Sequence, residues 1–136
     1  MTGIPLIKTV ITIDDEPVDQ MIYKRVLKRS GIVQTVMDFQ LAEEALNYFR
    51  KDDHVKPDII FLDIHMPRMN GFEFLDQAIA EFGQEFAESV VIMLTTSLDP
   101  ADRERASRYP MVLDYLSKPL TVENVQLAAR YLTKAA

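Results

Sequence analysis

Pro57-Asp58-Ile59-Ile60-Phe61-Leu62-Asp63-Ile64-His65-Met66-Pro67 is the stretch on which the fold turns. Ile59 to Leu62 is apolar at every position, and the run from Asp58 to Asp63 has the length of a strand. A strand with no polar face is covered on both sides, as in the parallel sheets of α/β proteins. Met66-Pro67-Arg68-Met69-Asn70-Gly71 follows, with Pro, Asn-Gly and no periodicity, and reads as a loop. Phe72, Leu75, Ala78, Ile79 and Phe82 then recur at helical spacing.

The same strand-then-helix unit repeats in both directions. Upstream, Thr9 to Ile13 reads as a buried strand stopped by Asp14-Asp15, and Pro17 suits a first helical position. Val18, Met21, Ile22 and Val26 mark the apolar face of that helix, with Gly31 as its C-terminal cap. Val33 to Phe39 is a second strand, and Leu41, Ala42, Ala45, Leu46 and Phe49 mark a second helix. Downstream, Val90 to Thr95 is a fourth strand, Asp99-Pro100 caps and opens a fourth helix, and Val112 to Ser117 is a fifth strand. Thr121 caps a last helix carrying Val122, Val125, Ala129 and Leu132. Five strands alternating with five helices predict an α/β fold, a (βα)5 doubly wound five-stranded parallel sheet. Residues 1–136 read as a single domain, without internal repeat, low-complexity tract or linker.

The 136 residues carry 15 basic and 21 acidic side chains, a formal charge of -6, which argues against nucleic acid as a direct ligand. With 48% hydrophobic residues a core can form, and with no cysteine, disulfide and thiolate chemistry are excluded. No apolar run approaches the roughly 18 residues needed to span a bilayer, so no membrane contact is expected. Val10 to Ile13 is too short for a signal-peptide core, and the expected compartment is the cytoplasm.

Polar residues end four of the five strands: Asp14 and Asp15 the first, Asp63 the third, Thr95 the fourth and Lys118 the fifth. In a parallel sheet these ends share one edge, where ligands of open α/β sheets bind. Singly, each residue is ordinary. Asp14-Asp15 can cap a helix, Asp63 can bond a turn, and Thr95, Thr96 and Ser97 can be strand-end hydroxyls. Lys118 can be a solvated lysine and Tyr115 a rim aromatic. Together they predict one pocket. Three carboxylates there repel one another, and a hard divalent cation such as Mg²⁺ offsets the repulsion with few protein ligands. One carboxylate can then act as a nucleophile and form an aspartyl-phosphate, with the ammonium and a hydroxyl serving the phosphoryl oxygens.

These residues resemble the response-regulator receiver family, whose minimal form is CheY-like. Ile11-Thr12-Ile13-Asp14-Asp15-Glu16, the Pro57–Pro67 block with Asn70-Gly71, Val91-Ile92-Met93-Leu94-Thr95 and Tyr115-Leu116-Ser117-Lys118-Pro119-Leu120-Thr121 carry the likeness over nearly the whole chain. It implies the flavodoxin-like strand order 2-1-3-4-5. It also implies Asp63 as phosphoacceptor, and Mg²⁺ held by Asp15, Asp63 and the His65 backbone carbonyl, with Asp14 acting mainly through water. Thr95 and Tyr115 would be the switch pair, Lys118 the partner of the phosphoryl oxygens, and Lys118-Pro119 a cis peptide. The donor would be a sensor histidine kinase or histidine phosphotransfer protein. The output would be a downstream protein target read by the fourth helix, fifth strand and fifth helix, with Arg103, Arg105 and Arg108 on that surface or simply solvated.

The pattern departs from the family in four places. His65 either tunes the attack of water on the acyl phosphate or contributes only its carbonyl. Thr96 replaces the usual small Ala and, with Ser97, is a tuning position. Tyr109-Pro110-Met111 stands before the fifth strand where Gly-Ala is common, and Gly83 to Glu88 lengthens the third helix or its exit. A haloacid-dehalogenase-like phosphatase would need a second Asp where His65 stands. A pseudo-receiver would lack one of Asp14, Asp15, Asp63, Thr95 or Lys118. The expected protein is therefore a signalling domain with at most slow autodephosphorylation, alone or as part of a longer regulator or hybrid kinase.

Overall fold

The computed structural model describes residues 6–134. The elements are β1 (Ile7–Ile13), α1 (Pro17–Ser30), β2 (Val33–Phe39), α2 (Ala42–Phe49), β3 (Ile59–Asp63) and α3 (Gly71–Phe82). They continue with α4 (Gln84–Ala87), β4 (Val91–Thr95), α5 (Pro100–Ser107), β5 (Val112–Ser117) and α6 (Val122–Lys134). All four strand pairings are parallel and the order is β2-β1-β3-β4-β5. The expected α/β sheet and its winding are therefore present.

Burial follows position in the sheet. β3 and β4 are buried at every residue and β1 at all but Lys8, whereas the edge strands β2 and β5 are only half-buried. Along β3 the side chains alternate between two cores. Ile59 and Phe61 pack with Tyr23 and Leu27 of α1 and Val125, Ala128 and Ala129 of α6. Ile60 and Leu62 pack with α2, α3 and Ala106 of α5. Each such side chain contributes on the order of 2 kcal/mol by leaving water, which is why an unbroken apolar run suits this strand.

Four local expectations are corrected. α1 buries Gln20, Tyr23 and Leu27, while Val18 and Met21 are 66% and 56% exposed. The polar pair goes inside because Asp14, Thr12 and backbone carbonyls satisfy it there. Asp58 precedes β3 instead of opening it, its carboxylate accepting from the N–H groups of Lys8 and Thr9 at 2.8 and 3.1 Å. β1 correspondingly begins at Ile7, not Thr9. Gly83, at φ +60°, ends α3 and starts the separate one-turn helix α4, so the described residues form six helices and the expected fourth and fifth are α5 and α6. Most expected caps are present: Gly31 at φ 73°, the Asp99 carboxylate on the N–H of Ala101, and Thr121 with Asn124 bonding reciprocally.

Candidate functional site

The register brings the strand ends together: Ile13 pairs with Leu62, Asp63 with Leu94, and Thr95 with Ser117. Asp14, Asp63, Thr95 and Lys118 therefore emerge along one edge. Lys118 is tied there by its N–H, which donates to the Thr95 carbonyl at 2.9 Å, and its peptide bond to Pro119 is cis.

Asp14 is fully buried and held by three donors. Its Oδ1 accepts from the N–H of Glu16 at 2.9 Å, and its Oδ2 from the Tyr23 hydroxyl at 2.5 Å and Lys118 Nζ at 2.8 Å. Burial, then the hydrogen bond to Asp14, push the Tyr23 phenol far above its ordinary pKa, so it stays a donor. Gln20 braces the turn, its amide donating to the Asp14 and Phe39 carbonyls at 3.0 Å each. Asp15 differs. Its Oδ1 is buried and has no hydrogen-bond partner among the described residues.

Asp63 is 4% exposed. Burial, then the charge of Asp14, push its carboxyl up from 3.8 to about 6, with Lys118 opposing both. Lys118 Nζ meets three carboxylates: Asp14 and Asp19 at 2.8 Å and Asp63 at 3.3 Å. Burial alone would lower the pKa of this amine; hydrogen bonds to Asp14 and Asp19 and the charge of Asp63 outweigh it, and the ammonium form is held.

Oxygens of Asp14, Asp15 and Asp63 lie within 4.8 Å of one another, beside a pocket of about 370 Å³ lined by Asp15, Glu16, Asp19, Asp63, His65, Thr96 and Lys118. An unpartnered buried carboxylate oxygen within an all-oxygen donor set fits a hard cation such as Mg²⁺. Asp14 has both oxygens already engaged. A second, aromatic pocket at the opposite edge, among Phe49, His54, Phe82 and Phe86, measures only about 30 Å³ and gathers no comparable donor set.

The loop after β3 is set by close packing. A side chain at Gly71 would put Cβ 2.5 Å from the Asp63 carbonyl oxygen, and the Gly71 N–H donates to the Ile64 carbonyl at 2.8 Å. Asn70 and Glu73 form a capping box that starts α3 at this point. On the other rim, Thr95 is buried and its Oγ1 accepts from the N–H of Ser97 at 2.9 Å. Ser97 Oγ donates to Asp102 at 2.7 Å, and Nε2 of the exposed His65 stands 3.4 Å from the same carboxylate. The Tyr115 hydroxyl is buried and without a hydrogen-bond partner among the described residues, while Arg103 lies 4.9 Å above its ring. Arg105 packs over Phe72, at 4.5 Å, near Asp76, and Arg108 pairs with Glu104.

A model of the response regulator receiver domain matches residues 10–130. The chain belongs to the response-regulator receiver family. Among curated relatives of this receiver, the probable C4-dicarboxylate response regulator DctR of Halalkalibacterium halodurans is 30% identical over 124 residues, which cover 91% of this chain and 50% of DctR. The hybrid signal transduction histidine kinase C of Dictyostelium discoideum is 31% identical over 126 residues, covering 89% of this chain and 10% of the kinase. The receiver thus spans half or less of the length of these relatives. Among solved structures, a two-component response regulator from Cytophaga hutchinsonii superposes with a TM-score of 0.85 at 27% identity, covering 95% of this chain and 98% of the other. The receiver is therefore a signalling domain of two-component systems. No described helix is long and apolar enough to cross a membrane.

The strand-end acids, Thr95 and Lys118 converge as the alternation of elements required. Asp19, Tyr23, Gln20 and Asp102 were missed. The spacing places Asp19 and Tyr23 on one face of α1, four residues apart, but nothing in the spacing ties that face to Lys118.

Proposed function

We propose that Asp63 accepts a phosphoryl group from a phosphohistidine on a sensor histidine kinase or phosphotransfer protein, and that the charge change alters binding to a downstream protein. The observation that carries this reading is the setting of Asp63: a buried carboxylate 3.3 Å from the Lys118 ammonium, with an unpartnered oxygen of Asp15 on the same edge. A Asp63 Oδ attacks phosphorus, the P–N bond breaks, and the electron pair leaves with the imidazole nitrogen, giving an acyl phosphate. Asp63 attacks in its ionised form, which its pKa of about 6 leaves predominant at neutral pH.

Asp15, Asp63 and the His65 carbonyl would hold Mg²⁺, with Asp14 reaching it through water. The ion, when bound, neutralises phosphoryl oxygens and offsets repulsion among the acids. Lys118 pairs with a second phosphoryl oxygen. Thr95 Oγ1 exchanges the Ser97 N–H for the phosphoryl group, and Tyr115 repacks behind it, which alters the face of α5, β5 and α6. His65, Thr96 and Ser97 border the phosphoryl position and tune its lifetime. Val18 and Met21, exposed on the helix that carries Asp19, offer the donor protein an apolar contact. Residues 1–136 form one receiver domain that acts in the cytoplasm, contacts neither nucleic acid nor membrane, and has at most slow autodephosphorylation. The longer relatives also favour a receiver within a larger regulator or hybrid kinase.

Incubation with acetyl phosphate and Mg²⁺ should give an acid-stable, base-labile label on the wild type and none on Asp63→Asn. A label retained by the variant would overturn the assignment to Asp63.

A further inference from the structure

Lys118 has three ammonium protons and three carboxylate partners, and the partners are not equivalent. Asp14 is fully buried and clamped by Tyr23 and the Glu16 N–H, so it cannot withdraw. Asp63 is the acceptor itself. Asp19, on the first turn of α1, is the remaining partner, at 2.8 Å and with its side chain 27% exposed. A first-turn acid is ordinarily explained by the helix dipole. Asp19, however, aims its carboxylate at Nζ across the pocket, and α1 is capped without a side-chain hydrogen bond.

We infer that Asp19 is a positioning residue that holds Lys118 toward α1 in the resting protein and releases it when the phosphoryl group arrives. This rests on the phosphoacceptor reading of Asp63. A phosphoryl group on Asp63 brings nearly two negative charges and several acceptor oxygens toward the Lys118 ammonium. That is more than the single contact that Asp63 gives up on phosphorylation, so Asp14 and Asp19 must compete with it. Only Asp19 can yield cheaply, because water reaches its carboxylate, whereas an Asp14 stripped of Lys118 would remain a buried and under-compensated charge. Asp19 thereby competes with the phosphoryl group for Lys118 and sets the threshold for occupancy, without touching the reacting atoms.

The test uses beryllofluoride with saturating Mg²⁺, followed by fluorine NMR, on the wild type, Asp19→Asn and Glu16→Gln. Glu16 lines the same rim, and its loss removes the same charge without removing a contact to Lys118. Asp19→Asn should bind beryllofluoride about threefold to tenfold more tightly, the scale of one partly exposed ion pair. Glu16→Gln gives the effect of the rim charge alone, and its gain should be clearly smaller than that of Asp19→Asn. Unfolding midpoints are measured alongside, since a merely structural Asp19 would lower the midpoint and leave the affinity unchanged. In a crystal structure of the wild-type Mg²⁺–beryllofluoride complex, Asp19 and Lys118 should stand beyond hydrogen-bond distance. An Asp19→Asn affinity equal to that of the wild type, an equal gain in Glu16→Gln, or an intact Asp19–Lys118 pair in the complex overturns the role of Asp19 alone. A wild type that binds Mg²⁺ but no beryllofluoride overturns the phosphoacceptor reading, and this inference with it.

Discussion

Asp63→Asn should stabilise the metal-free protein at neutral pH, although it removes the proposed acceptor. Burial and then Asp14 raise the Asp63 carboxyl from 3.8 to about 6, net of the opposing pull of Lys118. A pKa raised on folding means that ionisation is harder in the folded state. Its favourable contribution is fully present below pH 3.8 and is lost as the pH rises through about 6. Above that range the folded protein carries the whole penalty. The two values differ by about two powers of ten in ionisation constant, and each power is about 1.4 kcal/mol, so the penalty is roughly 3 kcal/mol.

Asparagine keeps the shape of the side chain and carries no charge. The expected gain is about 2–3 kcal/mol at pH 7.5, or on the order of 5–10 °C in Tm for a domain of this size. Urea unfolding followed by circular dichroism, with EDTA present, should show little difference between variant and wild type at pH 4. The curves should separate between pH 4 and 7 and run parallel above. A variant no more stable than the wild type at pH 7.5, or a difference that does not change with pH, would refute the account of Asp63 as a buried, repelled carboxylate.

Three further outcomes follow from the same geometry. Tyr23→Phe leaves a buried Asp14 oxygen with one donor fewer and should cost about 1–3 kcal/mol in urea unfolding, so an unchanged midpoint would remove Tyr23 from the site. Gly71→Ala forces a Cβ to 2.5 Å from the Asp63 carbonyl oxygen and should lose about 1–3 kcal/mol while slowing acetyl-phosphate labelling; an intact midpoint and rate would mean that the loop has room. Mg²⁺ at about a hundred times its Kd should stabilise the wild type by about 2.7 kcal/mol in a thermal melt, and Asp15→Asn should lose most of that gain. Equal stabilisation of both proteins would place the cation elsewhere.

What could be read from the chain depended on whether a residue's environment is set by its neighbours in sequence or by distant ones. The parallel sheet follows from apolar runs of strand length alternating with helices, because an Ile59–Leu62 run with no polar face must lie inside a sheet covered on both sides, whereas the strand order came from the likeness to the receiver family. The convergence of Asp14, Asp15, Asp63, Thr95 and Lys118 follows in turn, since parallel strands present their C-terminal ends together. The orientation of α1 did not follow. Hydropathy favours burying Val18 and Met21, but the folded helix buries Gln20 and Tyr23, whose polar atoms find Asp14, Thr12 and the Phe39 carbonyl across the turn. A buried polar group is acceptable only where its partners exist, and those partners are fixed by the sheet rather than by the helix. Asp58 shows the same dependence: it resembles the first residue of β3 until the N–H groups of Lys8 and Thr9 are seen to need an acceptor. Asp19 is the sharpest case. On its own helix it is one more first-turn acid, and only the arrival of Lys118 from the far end of the chain makes it part of the pocket. The acids that end strands were therefore legible from topology, whereas the acid that competes for the ammonium was not.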